Sequence, residues 1–347
     1  MTSERRVLLV GGAGYIGSVL TSHLLACGYS VTCLDRLIYR HLHSVWPFVG
    51  RDGYRFIRGD MGSPADVERA LEGVDAVVIL AGHVGDPITK KYPHQSEIIN
   101  LRAIGNLFHL LDGRNLDRVL FISTCSNYGL APEHVHATEN YQLAPLSAYA
   151  RHKVASEQSL LELRNVVDYS ATILRFATAF GLSPRMRFDL TVSEFTRELY
   201  LGRELLVFDA NTWRPYCHVR DLSAAIGRVL EAPRDRVHFE VFNVGGDANN
   251  LTKQMIVDEI LRQVPEGRVK YQDHGSDPRN YRVSFAKIAD RLDFSPKISV
   301  REGVAELLGA LRLGLFDDVE NHGSWFGNYH ILAPEIPAGS APVAAAG

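Results

Sequence analysis

One stretch limits what this chain can become more than any other: "RRVLLVGGAGYIGSVLTSHLLACG", residues 5–28. "RRVLLV" is a short apolar run of the kind buried in a parallel sheet. "YIGSVLTSHLLAC" carries apolar residues at helical spacing and stops at Gly28, a residue suited to the position just past a helix end. Between them lies the turn "GGAGYIG". Gly11 allows the tight turn, Gly14 lets a diphosphate approach the backbone, and Gly17 lets helix and strand pack closely. The free N–H groups at the helix N-terminus suit an anion. A strand–turn–helix of this kind opens a dinucleotide-binding α/β domain.

The next residues keep that rhythm. "SVTCLD" is a second strand ending at Asp35. A carboxylate there hydrogen-bonds an adenosine ribose 2′-OH and repels a 2′-phosphate, which favours NAD over NADP. Arg36 would suit a 2′-phosphate and keeps NADP open. "YRFIRGD", "DAVVILAG", "DRVLFIST" and "YSATILRF" read as further strands. "SEIINLRAIGNLFHLLDG" and "SAYARHKVASEQSLLELRN" read as helices, the second with Ser147 as N-cap. The alternation predicts an α/β fold, a Rossmann-like doubly wound parallel sheet with a smaller C-terminal substrate-binding lobe. Residues 1–176 are expected to form the cofactor domain, with segments near 215–245 returning to it. Residues 177–330 form the lobe, with helices at "DLTVSEFTRELYLG", "RDLSAAIGRVLEA", "TKQMIVDEILRQV" and "VREGVAELLGALRLG". The Ala/Pro/Gly-rich tail 331–347 is expected to be disordered.

Composition narrows the partners. A net charge of −3 over 347 residues gives no general pull toward nucleic acid or an anionic membrane, so an anionic ligand must be met by local groups. No apolar run is long enough to span a bilayer, and no signal peptide is apparent. The four cysteines, Cys27, Cys33, Cys125 and Cys217, lack paired spacing. They read as reduced thiols of a cytoplasmic protein, and no metal site is expected.

"YARHK" at 149–153 sets Tyr149 and Lys153 on one helical face. With the glycine spacing G-x-x-G-x-x-G, it resembles the extended branch of the short-chain dehydrogenase/reductase superfamily, which includes NAD-dependent nucleotide-sugar epimerases and dehydratases. Other landmarks fall in order over residues 5 to 315. "GDM" at 59–61 is similar to the adenine-binding segment, making Asp60 and Met61 candidates. "LAGHVG" at 80–85 is similar to the strand end along the cofactor, with Ala81 and Gly82 close to it. Asn100 comes next, then "STCSNYG" at 123–129. The resemblance also puts Tyr15 and Ile16 of the glycine turn at the cofactor.

The resemblance implies that Thr124, Tyr149 and Lys153 converge beside the nicotinamide. A free phenol titrates near ~10, and a nearby ammonium and the nicotinamide charge favour phenolate. Lys153 would also hold the nicotinamide ribose, and Thr124 would steer the substrate proton to Tyr149. Dehydratases of the branch carry Asp-Glu after this threonine, whereas this chain has Cys125 and Ser126. The expectation is epimerisation of a nucleotide-diphosphate sugar, at C4. A 4-ketoreductase or dehydrogenase is the alternative, a 4,6-dehydratase is disfavoured, and a non-catalytic NAD-binding protein is the remote one. Substrate contacts are expected from Thr124, Cys125, Ser126, Thr178, Asp189, Arg214 for the pyrophosphate, and Arg282. Arg279, Arg185 and Arg187 are alternative phosphate contacts. Thr178 and Asp189 stand where sugar epimerases of the branch show asparagines, and Val84 and Asn127 also depart from the pattern, so the sugar stays open. The resemblance further implies a homodimer.

Overall fold

The structure, a computed structural model, describes residues 5–275 and 277–331. Of the expected disordered tail, residues 332–347 lie outside the described residues. Seven strands form one parallel sheet, in the spatial order Glu240–Val244, Ser170–Phe176, Arg118–Thr124, Ala76–Ile79, Arg6–Val10, Ser30–Asp35, Tyr54–Arg58. The chain therefore winds outward in two directions from the neighbours Arg6–Val10 and Ala76–Ile79. The crevice beyond the C-terminal ends of such a pair is where open α/β sheets bind ligands.

The continuous apolar character of these strands has a simple cause. Val7 and Leu9 point into one hydrophobic cluster, while Leu8 and Val10 point into another on the opposite face. Helices Tyr15–Ala26 and Val219–Glu231 cover the first face through Leu20, Leu24, Leu222 and Ile226. Helices Pro64–Ala70, Ile104–Leu110 and Ala148–Glu162 cover the second through Val67, Leu107, Phe108 and Leu160. Ser147 caps the last of these, its hydroxyl accepting the Ala150 N–H at 3.2 Å.

The expected single helix over 96–113 is not uniform. It runs from Pro93 through Glu97, widens into a π-helical stretch over Ile98–Ala103, and resumes at Ile104. A π turn inside a helix is a rarity that clusters at functional sites.

The remaining chain builds a lobe around a third cluster, with Phe188, Val192, Phe195, Ile256, Ile260, Val304 and Leu307. Its helices include Thr191–Tyr200, Lys253–Leu261 and Val300–Arg312. Strands Thr178–Phe180, Trp213–His218 and Asn250–Thr252 make a small sheet. Tyr15 and Val19 of the first helix join this cluster, and Tyr15 Oη donates to the Gly181 carbonyl at 2.7 Å. The lobe is thus fastened directly onto the glycine turn. No helix among the described residues is long and apolar enough to cross a membrane.

Candidate active site

A cavity of about 400 Å³ opens at the C-terminal ends of the central strands, between the sheet and the lobe. Its floor is the glycine turn. Gly11 has φ +84°, and a Cβ there would lie 2.7 Å from the Ala81 backbone. A Cβ on Gly17 would lie 2.6 Å from the Gly12 carbonyl oxygen. Only glycine lets the helix start this close to the strands. Gly14 caps that helix without a side-chain hydrogen bond, so the first-turn N–H groups face the cavity unclaimed by a cap. Tyr15, Ile16, Asp35, Arg36, Asp60, Met61, Ala81 and Gly82 line the same end.

Asp35 ends its strand with both carboxylate oxygens in use. One accepts the Ala13 N–H at 3.1 Å and the other the Leu37 N–H at 2.8 Å. Burial raises its carboxyl pKa, partly offset by those two bonds. Arg36 lies 3.1 Å from Asp60. It therefore already has a carboxylate partner, which weakens the case for a 2′-phosphate. The floor fits a dinucleotide: an open helix N-terminus for the diphosphate and a carboxylate for a ribose.

Asn100 does not line the cavity. It is buried, its Oδ1 accepting the His83 N–H at 2.8 Å and its Nδ2 donating to the His83 carbonyl at 3.0 Å. The π-helical stretch aims this carboxamide at the 80–85 loop. Through these two bonds Asn100 shapes the wall.

Thr124, Tyr149 and Lys153 all line the cavity. Thr124 Oγ1 accepts the Ser126 N–H at 3.1 Å, which leaves its own proton free to donate outward. Lys153 Nζ donates to the Ile122 carbonyl at 2.7 Å and lies 4.6 Å from the Phe121 ring centre. Burial lowers its pKa to about 8, with Glu157 opposing the shift. Tyr149 differs from expectation. Burial pushes its phenol well above the ordinary value, against the opposing pull of Arg187 and Arg279. Both of those arginines come from the lobe.

The sugar-side candidates divide. Ser126, Thr178, Asp189 and Arg214 line the cavity; Cys125 and Arg282 do not. Cys125 is buried, with its thiol directed at the Arg175 carbonyl 3.2 Å away, and burial pushes the thiol pKa well up. The strand ends at Thr124 and a 3-10 turn, Cys125–Tyr128, starts there, with the Cys125 side chain in the core. Arg282 instead covers the Trp213 ring at 3.6 Å and pairs with Glu133 at 3.3 Å. Arg279 lines the cavity, bonded to Asp277 at 2.7 and 2.8 Å, to Asp86 at 2.8 Å and to Ser126 Oγ at 3.3 Å.

Arg214 stacks on Tyr281 and donates to the Trp213 carbonyl at 2.7 Å and to the Arg279 carbonyl. Arg187 grips Asp189 with two bonds, at 2.9 and 2.5 Å. Burial alone would raise the Asp189 carboxyl, but Arg187 brings it below its usual range. Arg185 is fully buried at the wall, donating to Asn328 Oδ1 at 2.9 Å. Asp86, Asp277 and Lys253 also line the site and were not expected. Only the proline after Asp86 and the arginines around Asp277 hinted at them. Among the described residues, no group of three or more His, Cys, Asp or Glu could hold a metal ion.

Comparison with known proteins agrees with this geometry. The chain is 27% identical over 314 residues to a dTDP-glucose 4,6-dehydratase of Streptomyces niveus, covering 87% of this chain and 91% of that one. It is 28% identical over 331 residues to a putative UDP-arabinose 4-epimerase of Arabidopsis thaliana, covering 82% and 74%. Among solved structures it matches MoeE5 in complex with UDP-glucuronic acid and NAD, with a TM-score of 0.77, 25% identity and coverage of 89% and 99%. It shares its fold with UDP-glucuronic acid 4-epimerase of Bacillus cereus, with a TM-score of 0.81, 22% identity and the same coverage. Residues 7–245 match the model of the NAD-dependent epimerase/dehydratase family, and the chain belongs to that family.

Proposed function

We propose that this protein epimerises a nucleotide-diphosphate sugar at C4, using retained NAD. Bound NAD supplies the removal and return of hydride. Every other part falls to the chain's own groups. The glycine turn and the helix N-terminus receive the dinucleotide diphosphate, and Asp35 faces a ribose. Lys153 spends one N–H on Ile122 and keeps two for the nicotinamide ribose. Thr124 donates its free proton to the sugar hydroxyl oxygen. Tyr149 exchanges the proton of that hydroxyl, and Arg187 and Arg279 assist whenever the phenol carries charge. Arg214 and Arg279 suit a diphosphate, since a planar guanidinium binds phosphate oxygens in pairs.

The observation that carries the reading is the state of the two residues after Thr124. Elimination of water needs an acid and a base there. Cys125 is buried with its thiol held neutral, and Ser126 is taken up by Arg279. Neither serves that role, and a plain oxidation and reduction at one carbon needs neither.

The test is a panel of nucleotide sugars given to the purified protein without added cofactor, followed by NMR. Inverted configuration at one carbon is expected. Tyr149→Phe should lower turnover by about 10²-fold or more while NAD stays bound. A 4-keto-6-deoxy product, consumption of added NADPH, or near-normal turnover by Tyr149→Phe would overturn the reading.

A further inference from the structure

Beneath the cavity lies a buried polar cluster that the proposed reaction does not use. Helix Ala148–Glu162 carries Tyr149, Lys153 and Glu157 at spacings of four, so all three share one face. Glu157 is absent from the cavity wall and 1% exposed. Its carboxylate accepts the Ser123 hydroxyl, Asn127 Nδ2 at 2.8 Å, and Arg175 through Nε at 3.0 Å and Nη2 at 2.7 Å. Arg175 continues to Tyr128 Oη at 3.1 Å, which donates to Asn243 Oδ1 at 2.7 Å.

The registration of these contacts is the telling feature. Lys153 grips the carbonyl of Ile122, Glu157 grips the side chain of Ser123, and the next residue is Thr124. Two successive residues of the helix face are thus pinned to two successive residues of the strand that ends in the cavity. We infer that Glu157 is a positioning residue, which through Ser123, Asn127 and Arg175 holds the helix bearing Tyr149 and Lys153 in register with the strand bearing Thr124. The inference rests on the proposed roles of those three groups. It also explains Asn127, a departure from the family pattern, as a donor to this carboxylate.

Glu157 acts on Lys153 by charge as well. Tyr149 stands one turn away on the same helix, and Arg175 on strand Ser170–Phe176 is the ion-pair partner of Glu157. Strand Arg118–Thr124 offers it only a carbonyl and the Phe121 ring. The stretch Ile98–Ala103 gives the helix the Asn100 carbonyl, accepting from Ser156 Oγ at 2.9 Å. Across the cavity stand Asp86, Arg187 and Arg279. Glu157 is the carboxylate that opposes the burial of the ammonium.

The experiment is a ¹³Cε-lysine NMR titration, which needs no substrate; the chain has seven lysines. The Lys153 resonance is assigned by its loss in Lys153→Met. In Glu157→Gln its midpoint should fall by about one pH unit or more, and the alkaline limb of turnover should fall with it. Glu157→Gln leaves Arg175 buried without its partner, so Glu157→Gln/Arg175→Met, which removes both charges, is the second variant; its midpoint should fall in the same direction by less, since loss of the Arg175 cation offsets part of the change. Ser123→Ala keeps the charges; it should leave the midpoint in place and lower kcat several-fold at unchanged KM. A folded variant lacking the Glu157 carboxylate with a wild-type midpoint would overturn the charge role. Wild-type kcat in Ser123→Ala would overturn the registration. A shifted midpoint in a protein without epimerase activity supports the placement of Glu157 and refutes the function instead.

Discussion

Lys153→Met should separate the stability of this protein from its proposed chemistry. The ammonium is 3% exposed, and its pKa falls from 10.5 to about 8 because burial disfavours the charge. At about 1.4 kcal/mol per unit, holding that proton in the folded state costs about 3 kcal/mol. The pH window is set by the sign of the shift. Below pH 8 both folded and unfolded chains keep the proton, and the cost is constant. Between about 8 and 10.5 the unfolded chain still binds it while the folded chain has let it go, so wild-type stability gains with rising pH. Lys153→Met has no such group. The stability of wild type minus that of the variant should climb by about 3 kcal/mol across the window. Loss of the bond to Ile122, worth about 1 kcal/mol, shifts the offset between the two proteins but not this climb. Urea unfolding of both proteins over that pH range measures it. A difference that stays flat would mean that the ammonium is not held at a cost, and the account of its burial would fail.

Other expectations concern the walls of the cavity. Asn100→Ala leaves the His83 N–H and carbonyl without their partners and should cost about 1–3 kcal/mol by urea unfolding, with weaker retention of NAD. Gly17→Ala pushes a methyl to 2.6 Å from the Gly12 carbonyl oxygen, so the purified protein should carry little NAD by absorbance and melt at a lower temperature. Gly105→Ala is the contrasting case. Nothing lies within 4 Å of the added carbon, and the residue is helical, so calorimetry should show a gain of about 0.5–1 kcal/mol.

Much of this architecture could be read from residue order alone, for a physical reason. A glycine turn works only at the end of a strand and the start of a helix, so "GGAGYIG" implies both. Strands covered on two faces must be apolar throughout, so the parallel sheet was visible in "DAVVIL" and "DRVLFI". Thr124, Tyr149, Lys153 and Arg214 were foreseen through the resemblance to the family, and all four line one crevice. What stayed hidden depends on neighbours distant in sequence. Cys125 adjoins Thr124 yet points into the core, because the strand ends at Thr124 and a 3-10 turn begins at Cys125. Arg282 is three residues from Arg279 yet is held outside by Trp213. The upward push on the Tyr149 phenol comes from burial, which no i,i+4 pattern encodes. Asp86 pairs with Arg279 and Glu157 with Arg175, partners distant in sequence, so their neighbours in the chain gave little sign of them.

The widened stretch Ile98–Ala103 has a consequence for how this chain tolerates change in length. Such a stretch holds an extra residue relative to a regular α-helix. Deleting one residue there would let the segment close into a regular α-helix, and Leu107 and Phe108 beyond the cut would keep their place in the core. The change would fall on the stretch itself, where the wide turn that aims Asn100 at His83 would be gone. A single-codon loss there would thus be felt at the wall of the crevice while the rest of the helix stayed seated.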